Sequence, residues 1–196
     1  MSSTNRGGKR TPADFYPTPA WCIRRIVEAV DLPGGDWLEP GAGDGAVIRT
    51  VNQYRDDVNW FALDIVETMC EEVRKIDPPV RIACRDFIEA PITRRYSVAI
   101  TNPPYFLAEQ FLCKCLQIAD NVVFLLRLNF LASAKRSGLM RINTPDVYIL
   151  PNRPSFSGHG TDSVECAWFH FHDNPRSSGK LVILPPTPAS ERTNLV

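Results

Sequence analysis

The sequence predicts an α/β fold with a mostly parallel sheet. Three observations carry that reading. Short apolar runs alternate with apolar-periodic stretches between Trp37 and Leu126. Polar residues recur just past the apolar part of each run, at Glu39, Asp64, Asp86 and Asn102. A glycine-rich turn, Glu39-Pro40-Gly41-Ala42-Gly43-Asp44-Gly45, separates the first run from the periodic stretch after it. Strand–helix alternation of this kind gives parallel strands whose carboxyl ends share one edge, and ligands bind at that edge.

The chain has 196 residues and a formal net charge of zero, with a pI near 6.8. That length suits one domain with a sizeable core. No stretch approaches the roughly 18 apolar residues of a membrane span, so no membrane partner is expected. The N-terminus has no signal-peptide apolar core. Cys22, Cys70, Cys84, Cys113, Cys115 and Cys166 form no CxxC pair. They read as buried thiols in a reducing cytosol rather than as a zinc or disulfide framework. With balanced charge, any surface for nucleic acid must be local.

Residues 1–13 are rich in Ser, Gly, Lys and Arg without an apolar period, and read as a mobile basic arm. In Asp14-Phe15-Tyr16-Pro17-Thr18-Pro19, Thr18 is the expected N-cap and Pro19 the first helical residue. Ile23, Ile26, Val27 and Val30 then give one helix an apolar face, ended by Pro33-Gly34-Gly35. Trp37-Leu38 is a short strand, and Val47, Val51 and Tyr54 mark the helix after the glycine turn. Glycines let that turn run tightly and let a ligand approach.

Trp60–Leu63 is the second strand, ending at Asp64, 21 residues after Gly43. A carboxylate about 20 residues on, at that strand tip, accepts ribose hydroxyls in nucleoside-cofactor folds; a helix-capping aspartate is the plainer reading. A helix follows from about Val66 to Ile76, stopped by Pro78-Pro79. Val80–Cys84 and Ser97–Ile100 are the third and fourth strands. Leu107, Phe111, Cys115 and Ile118 mark a helix, and Asn121–Leu126 is a fifth strand.

The last third is less regular. Ser133 to Gly138 with Arg141 reads as a basic loop, Val147–Leu150 as a sixth strand, and 151–163 as a long loop containing Arg153, Phe156 and His159. Cys166–Phe171 alternates as a seventh strand, carrying His170 and His172 on one face. No third ligand at a suitable spacing is visible, so no metal site is expected. Lys180–Leu184 reads as an edge strand candidate, and 185–196 as a loose tail. A single domain is thus expected over 14–184.

The densest signal is Thr101-Asn102-Pro103-Pro104-Tyr105-Phe106. Pro103 and Pro104 fit neither strand nor helix, stiffen the turn and remove two N–H donors. Asn102 adds a side-chain carbonyl and Tyr105 a flat aromatic face. Acceptors beside a stacking platform suit a planar group bearing an NH₂, such as the exocyclic amine of a base. A proline-stopped strand-to-helix turn is the plainer reading.

The order of these motifs (FYPTP, EPGAGDG, Asp64, Asp86-Phe87, TNPPYF) resembles that of class I S-adenosylmethionine-dependent methyltransferases. It is similar in particular to the adenine-N6 DNA methyltransferases. The segment from Asn152-Arg153-Pro154 to Ala167-Trp168-Phe169 resembles small phage and prophage members of that group. The likeness covers roughly residues 14–172. It implies a Rossmann-like seven-stranded methyltransferase sheet, mostly parallel with one antiparallel strand and helices on both faces. It also implies S-adenosyl-L-methionine as cofactor, S-adenosyl-L-homocysteine as product, no metal, DNA as partner, and a bacterial or phage-infected cytoplasm as location.

By residue, the resemblance implies that Phe15, Tyr16, Pro17 and Thr18 line the methionine end of the cofactor. Glu39, Gly41 and Gly43 would hold its amino acid part, Asp64 its ribose, and Asp86 and Phe87 its adenine. Asn102 and the Pro103 carbonyl would grip the target NH₂ beside the cofactor, with Pro104 stiffening the turn. Tyr105 would stack on the base and Phe106 would meet the substrate. Lys135, Arg136, Arg141 and Arg153 are expected to contact phosphates.

Larger members carry a separate target-recognition domain. Here only loops 130–145 and 151–164 are available, so either sequence specificity is slight or a homodimer or separate recognition partner would supply the rest. NPPY turns also occur in methyltransferases acting on RNA bases and on protein glutamines, and those acceptors stay open. A non-catalytic module of the same fold is disfavoured by the intact Asn102, Tyr105 and Asp64. A dinucleotide-dependent dehydrogenase leaves the NPPY turn unexplained.

Overall fold

Eight strands form one sheet in the computed structural model, which describes residues 17–156, 164–172 and 179–192. They are β1 (Gly35–Pro40), β2 (Val58–Asp64), β3 (Arg81–Cys84), β4 (Tyr96–Thr101), β5 (Ala119–Arg127), β6 (Asp146–Ile149), β7 (Cys166–His172) and β8 (Leu181–Ile183). Their spatial order is β3-β2-β1-β4-β5-β7-β6-β8. β1 to β5 are mutually parallel. β7 runs antiparallel to both neighbours, β5 and β6, and β8 pairs parallel with β6.

The sheet therefore has eight strands rather than seven. The Lys180–Leu184 stretch joins the edge because Val147 N–H donates to the Lys180 carbonyl at 2.7 Å and Leu184 N–H to the Ile149 carbonyl at 3.0 Å. Leu181 and Ile183 of this short strand face outward and are exposed, so it carries little apolar periodicity.

Apolar side chains alternate onto two cores. Trp37, Trp60, Val98 and Trp168 point to the face covered by α1 (Ala20–Ala29) and α2 (Ala46–Val51). Leu38, Ala99, Phe124 and Phe169 point to the face covered by α4 (Ala108–Ile118). A sheet buried on both sides reads as continuous apolar runs, which is why the central strands are visible in the sequence. α3 (Glu67–Arg74) follows β2, and α5 (Ser137–Ile142) precedes β6.

Several expectations need correction. α1 begins at Ala20, and Pro19 at its cap position makes no side-chain cap bond. Tyr54 lies beyond α2 and is 46% exposed, so it is not part of that helix's buried face. The basic loop contains α5, a helix of six residues that buries Met140. Residues 185–192 are not loose. Thr187 is buried, accepts from Arg25 Nε at 3.0 Å and donates its N–H to Asn152 Oδ1 at 2.7 Å, while Glu191 pairs with Arg24. The readings for 1–13, Phe15, Tyr16 and His159 fall outside the described residues. Among those described, no helix is long and apolar enough to cross a membrane.

Candidate active site

The strand order reverses between β1 and β4, and a cleft opens at their carboxyl ends, where doubly wound sheets bind ligands. The β1–β4 ladder covers only Trp37↔Val98 and Leu38↔Ala99. Beyond it, Thr101 Oγ1 donates to the Pro40 carbonyl at 2.8 Å and keeps the two strand tips together. The cleft is lined from three sides: by the glycine turn with Glu39, by the tip of β2 with Asp64, and by the Asn102–Tyr105 turn. Thr18, Asp86 and Phe87 also reach it.

The glycine turn is tied to β2. Gly41 and Ala42 N–H both donate to the Leu63 carbonyl, at 2.7 and 3.0 Å. Gly41 has φ of 70°, and a Cβ there would press on Phe111. Gly43 N–H donates to Asp64 Oδ2 at 2.8 Å, and Val66 N–H donates to Asp64 Oδ1, also at 2.8 Å. Each Asp64 oxygen thus holds one backbone donor and keeps a lone pair for a ligand. The cap reading of Asp64 and the ligand reading coexist in one side chain.

Glu39 is 2% exposed. Its Oε2 is buried without a hydrogen-bond partner among the described residues. Burial pushes its carboxyl well above the usual carboxylate range, and the Asp44 charge pushes the same way. An orphaned buried acceptor is costly, at about 1–3 kcal/mol, and it becomes satisfied when a cationic donor enters the cleft. Glu39, Asp44, Asp64 and Asp86 all line this space, with Arg85 as the cation among them.

Asn102 Nδ2 donates to Thr18 Oγ1 at 3.0 Å. Oδ1 of the same amide is buried with no partner among the described residues. Pro104 accepts from Leu107 N–H at 2.8 Å, whereas no donor to the Pro103 carbonyl is found among the described residues. Tyr105 stands edge-on to Phe156 with centroids 6.4 Å apart. The Arg127 guanidinium, from the end of β5, lies 4.7 Å from the Tyr105 ring centroid. Phe106 is 49% exposed beside them.

Asp86 Oδ1 accepts from Ile88 N–H at 2.7 Å, which closes the loop after β3. Phe87 is buried and tilts against Phe111 with centroids 4.9 Å apart. Lys114 of α4 binds the carbonyls of Phe87, Ile88 and Ala90 at 2.6, 2.8 and 2.6 Å. One lysine thereby holds this wall of the cleft.

Three of the four basic residues already have partners within the fold. Lys135 pairs with Glu109 at 3.2 Å, and Arg153 pairs with Glu165 at 2.6 Å. Arg136 donates to the Phe130 carbonyl at 3.0 Å and lies over the Phe130 ring. Arg141 is exposed on α5. Sequence reasoning missed Arg127, Lys114, Ile65 and Met69. Ile65 is half exposed and lines the cleft with Met69. An apolar residue directly after a strand-tip aspartate was the available signal.

The architecture resembles that of solved methyltransferases. No family model matches the chain, and no curated protein matches it. Solved structures do. The 23S rRNA methyltransferase ErmE superposes with a TM-score of 0.60 at 16% identity, over 83% of this chain and 70% of its own. A dimethyladenosine transferase from Plasmodium falciparum gives 0.59 at 18% identity, over 83% of this chain and 64% of its own. A methyltransferase from Pyrococcus furiosus gives 0.56 at 17% identity, over 76% and 80%.

Proposed function

We propose that this protein is an S-adenosyl-L-methionine-dependent methyltransferase that acts on the exocyclic N6 amine of adenine in DNA. The observation that carries the reading is Asn102. Its amide is oriented by Thr18, so its carbonyl oxygen stays buried and unpartnered beside a cleft suited to a nucleoside cofactor.

The residues present fit that cofactor. It is a cation with a ribose and an adenine. Glu39 Oε2 is an orphaned acceptor suited to its ammonium group, Asp64 retains lone pairs for the ribose diol, and Ile65, Met69 and Phe87 offer apolar surface for the adenine. When bound, the cofactor supplies an electrophilic methyl group on a sulfonium. The lone pair of an adenine amine is delocalised into the ring. Asn102 Oδ1 and the Pro103 carbonyl would hold its two hydrogens and favour a localised lone pair, so positioning does most of the work. Tyr105 would stack on the base, contributing about 1–3 kcal/mol. For duplex DNA this offsets part of the few kcal/mol needed to flip a nucleotide. Arg127 already covers a face of Tyr105, and would move from the ring to the target phosphate as the base arrives.

An RNA base is the second reading, supported by the two RNA- and adenosine-modifying enzymes among the similar structures. Labelled methyl transfer to DNA, RNA and protein pools, followed by nucleoside analysis, separates these. N6-methyladenine confined to DNA is the expected result. Label in RNA or protein alone would overturn the acceptor assigned here.

A further inference from the structure

Three ligand-type side chains meet at the sheet edge opposite the cleft. Asp146 opens β6 and lies directly across from His170 of β7 in the antiparallel register. His172 lies two residues on and so projects to the same face. One donor atom from each falls within 4.8 Å of the others. All three are withdrawn from water: Asp146 is 2% and His170 7% exposed, and the His172 side chain is 10% exposed.

We propose that Asp146, His170 and His172 form a binding site for a divalent transition-metal ion of the zinc class, with water completing the coordination.

The spacing favours it. His172 Nε2 stands 3.3 Å from Asp146 Oδ2. That is long for an N–H···O bond, whose usual distance is about 2.9–3.0 Å. It matches the edge of a tetrahedron with ligands at 2.0–2.1 Å, which is about 3.3–3.4 Å. An ion can therefore replace the proton between these two atoms without a backbone movement. The His170 donor must close in by rotation of its side chain.

The surroundings already set the tautomer of His170. Asn121 Nδ2 donates to the Ser97 carbonyl at 3.1 Å, which fixes the amide. Its Oδ1 then faces His170 Nε2 at 2.9 Å. A carbonyl oxygen only accepts, so Nε2 carries the proton and Nδ1 keeps the lone pair. This imidazole-to-carbonyl bond is the usual outer support of a metal-bound histidine.

Charge points the same way. Asp146 Oδ1 accepts the Lys180 backbone N–H at 2.9 Å. Its other oxygen, Oδ2, faces His172 Nε2. The Lys180 ammonium acts on His170 and opposes a cation, but it sits on the exposed side. The ion would join β6 to β7, and through Asn121 to β5, far from the cleft. The proposal does not depend on the activity assigned above.

The test uses the full chain, stripped with a chelator and titrated with Co²⁺ and then Zn²⁺. The expected result is uptake of about one equivalent of Co²⁺ with visible bands of a nitrogen–oxygen site, lost on adding Zn²⁺. Asn121→Ala should weaken Zn²⁺ binding by about 10–100-fold, and His172→Gln should abolish the cobalt spectrum. Should His172→Gln fail to fold, the parent spectrum and Asn121→Ala still decide. The proposal is overturned by absence of stoichiometric uptake, by a thiolate charge-transfer band reporting binding to cysteine, or by unchanged affinity in Asn121→Ala.

Discussion

Asn102 gives its side-chain amide to the Thr18 hydroxyl oxygen at 3.0 Å across 84 residues of sequence. That single bond fixes which end of the Asn102 amide stays buried without a partner among the described residues. Thr18 is thus an orienting group for the NPPY turn, not the cap of α1.

Asn102→Ala should lower methyl transfer by about two to three orders of magnitude, the loss typical of deleting one transition-state hydrogen-bonding group. Cofactor affinity, followed by calorimetry, should barely change. Thr18→Val should cost far less, roughly 1 kcal/mol or about fivefold, because it removes orientation and leaves the acceptor in place. Near-parental transfer by a folded Asn102→Ala protein would sink the mechanism.

Asp64→Ala should weaken S-adenosyl-L-methionine binding and also destabilise the fold. Gly43 and Val66 N–H both end on this carboxylate, and each bond to a charged group is worth about 1.5–3 kcal/mol. Denaturant melts should therefore shift with the affinity. Loss of affinity at unchanged stability would mean that these two donors find new partners.

Glu39→Gln separates burial from binding. Burial raises the Glu39 carboxyl, so the folded chain keeps this proton to higher pH than the unfolded chain does. Both states are protonated below the ordinary carboxylate range. Above it the unfolded chain loses the proton first, and stability falls as pH rises toward the folded value. The glutamine variant should be more stable than the parent only above that range, by roughly 2–4 °C in Tm per kcal/mol recovered. It should bind the cationic cofactor more weakly. A stability difference independent of pH would exclude Glu39 as its source.

Arg127→Ala should reduce the salt slope of nucleic-acid binding by about one phosphate contact. Lys135→Ala and Arg153→Ala should leave the slope nearly unchanged, since both cations are already paired with carboxylates. Fluorescence anisotropy across a salt series measures both. Equal slopes for all three variants would leave Arg127 as a cover for Tyr105 only.

The sequence revealed features that repeat locally. β4 and β5 are legible because both faces are largely buried around apolar runs, and β1 and β2 through the shorter runs Trp37-Leu38 and Trp60–Leu63. Glu39, Asp64, Asp86 and Asn102 are legible because they interrupt such runs at one end. What stayed hidden depends on neighbours distant in sequence. Thr18 meets Asn102 only through the packing of the α1 entry against β4. Asp146 completes a trio with His170 and His172 only through the β6–β7 register. α5 has six residues and includes Gly138, too short to show a period. β8 turns two of its three side chains outward. Arg136 reads as a surface cation, yet its guanidinium lies over the Phe130 ring and donates to the Phe130 carbonyl.

The reversal of direction at β7 has a consequence for how such a chain can grow. β6 leaves the sheet at the mouth of the cleft, and β7 re-enters there. Leu150 N–H donates to the Cys166 carbonyl at 3.2 Å, and the Arg153–Glu165 pair crosses the same base. Chain added between those anchors would leave the strand register untouched. Doubling the loop length costs only about 0.6 kcal/mol of closure entropy. The rim of the cleft is therefore a graft point, where a recognition module could be acquired or exchanged without redesigning the sheet.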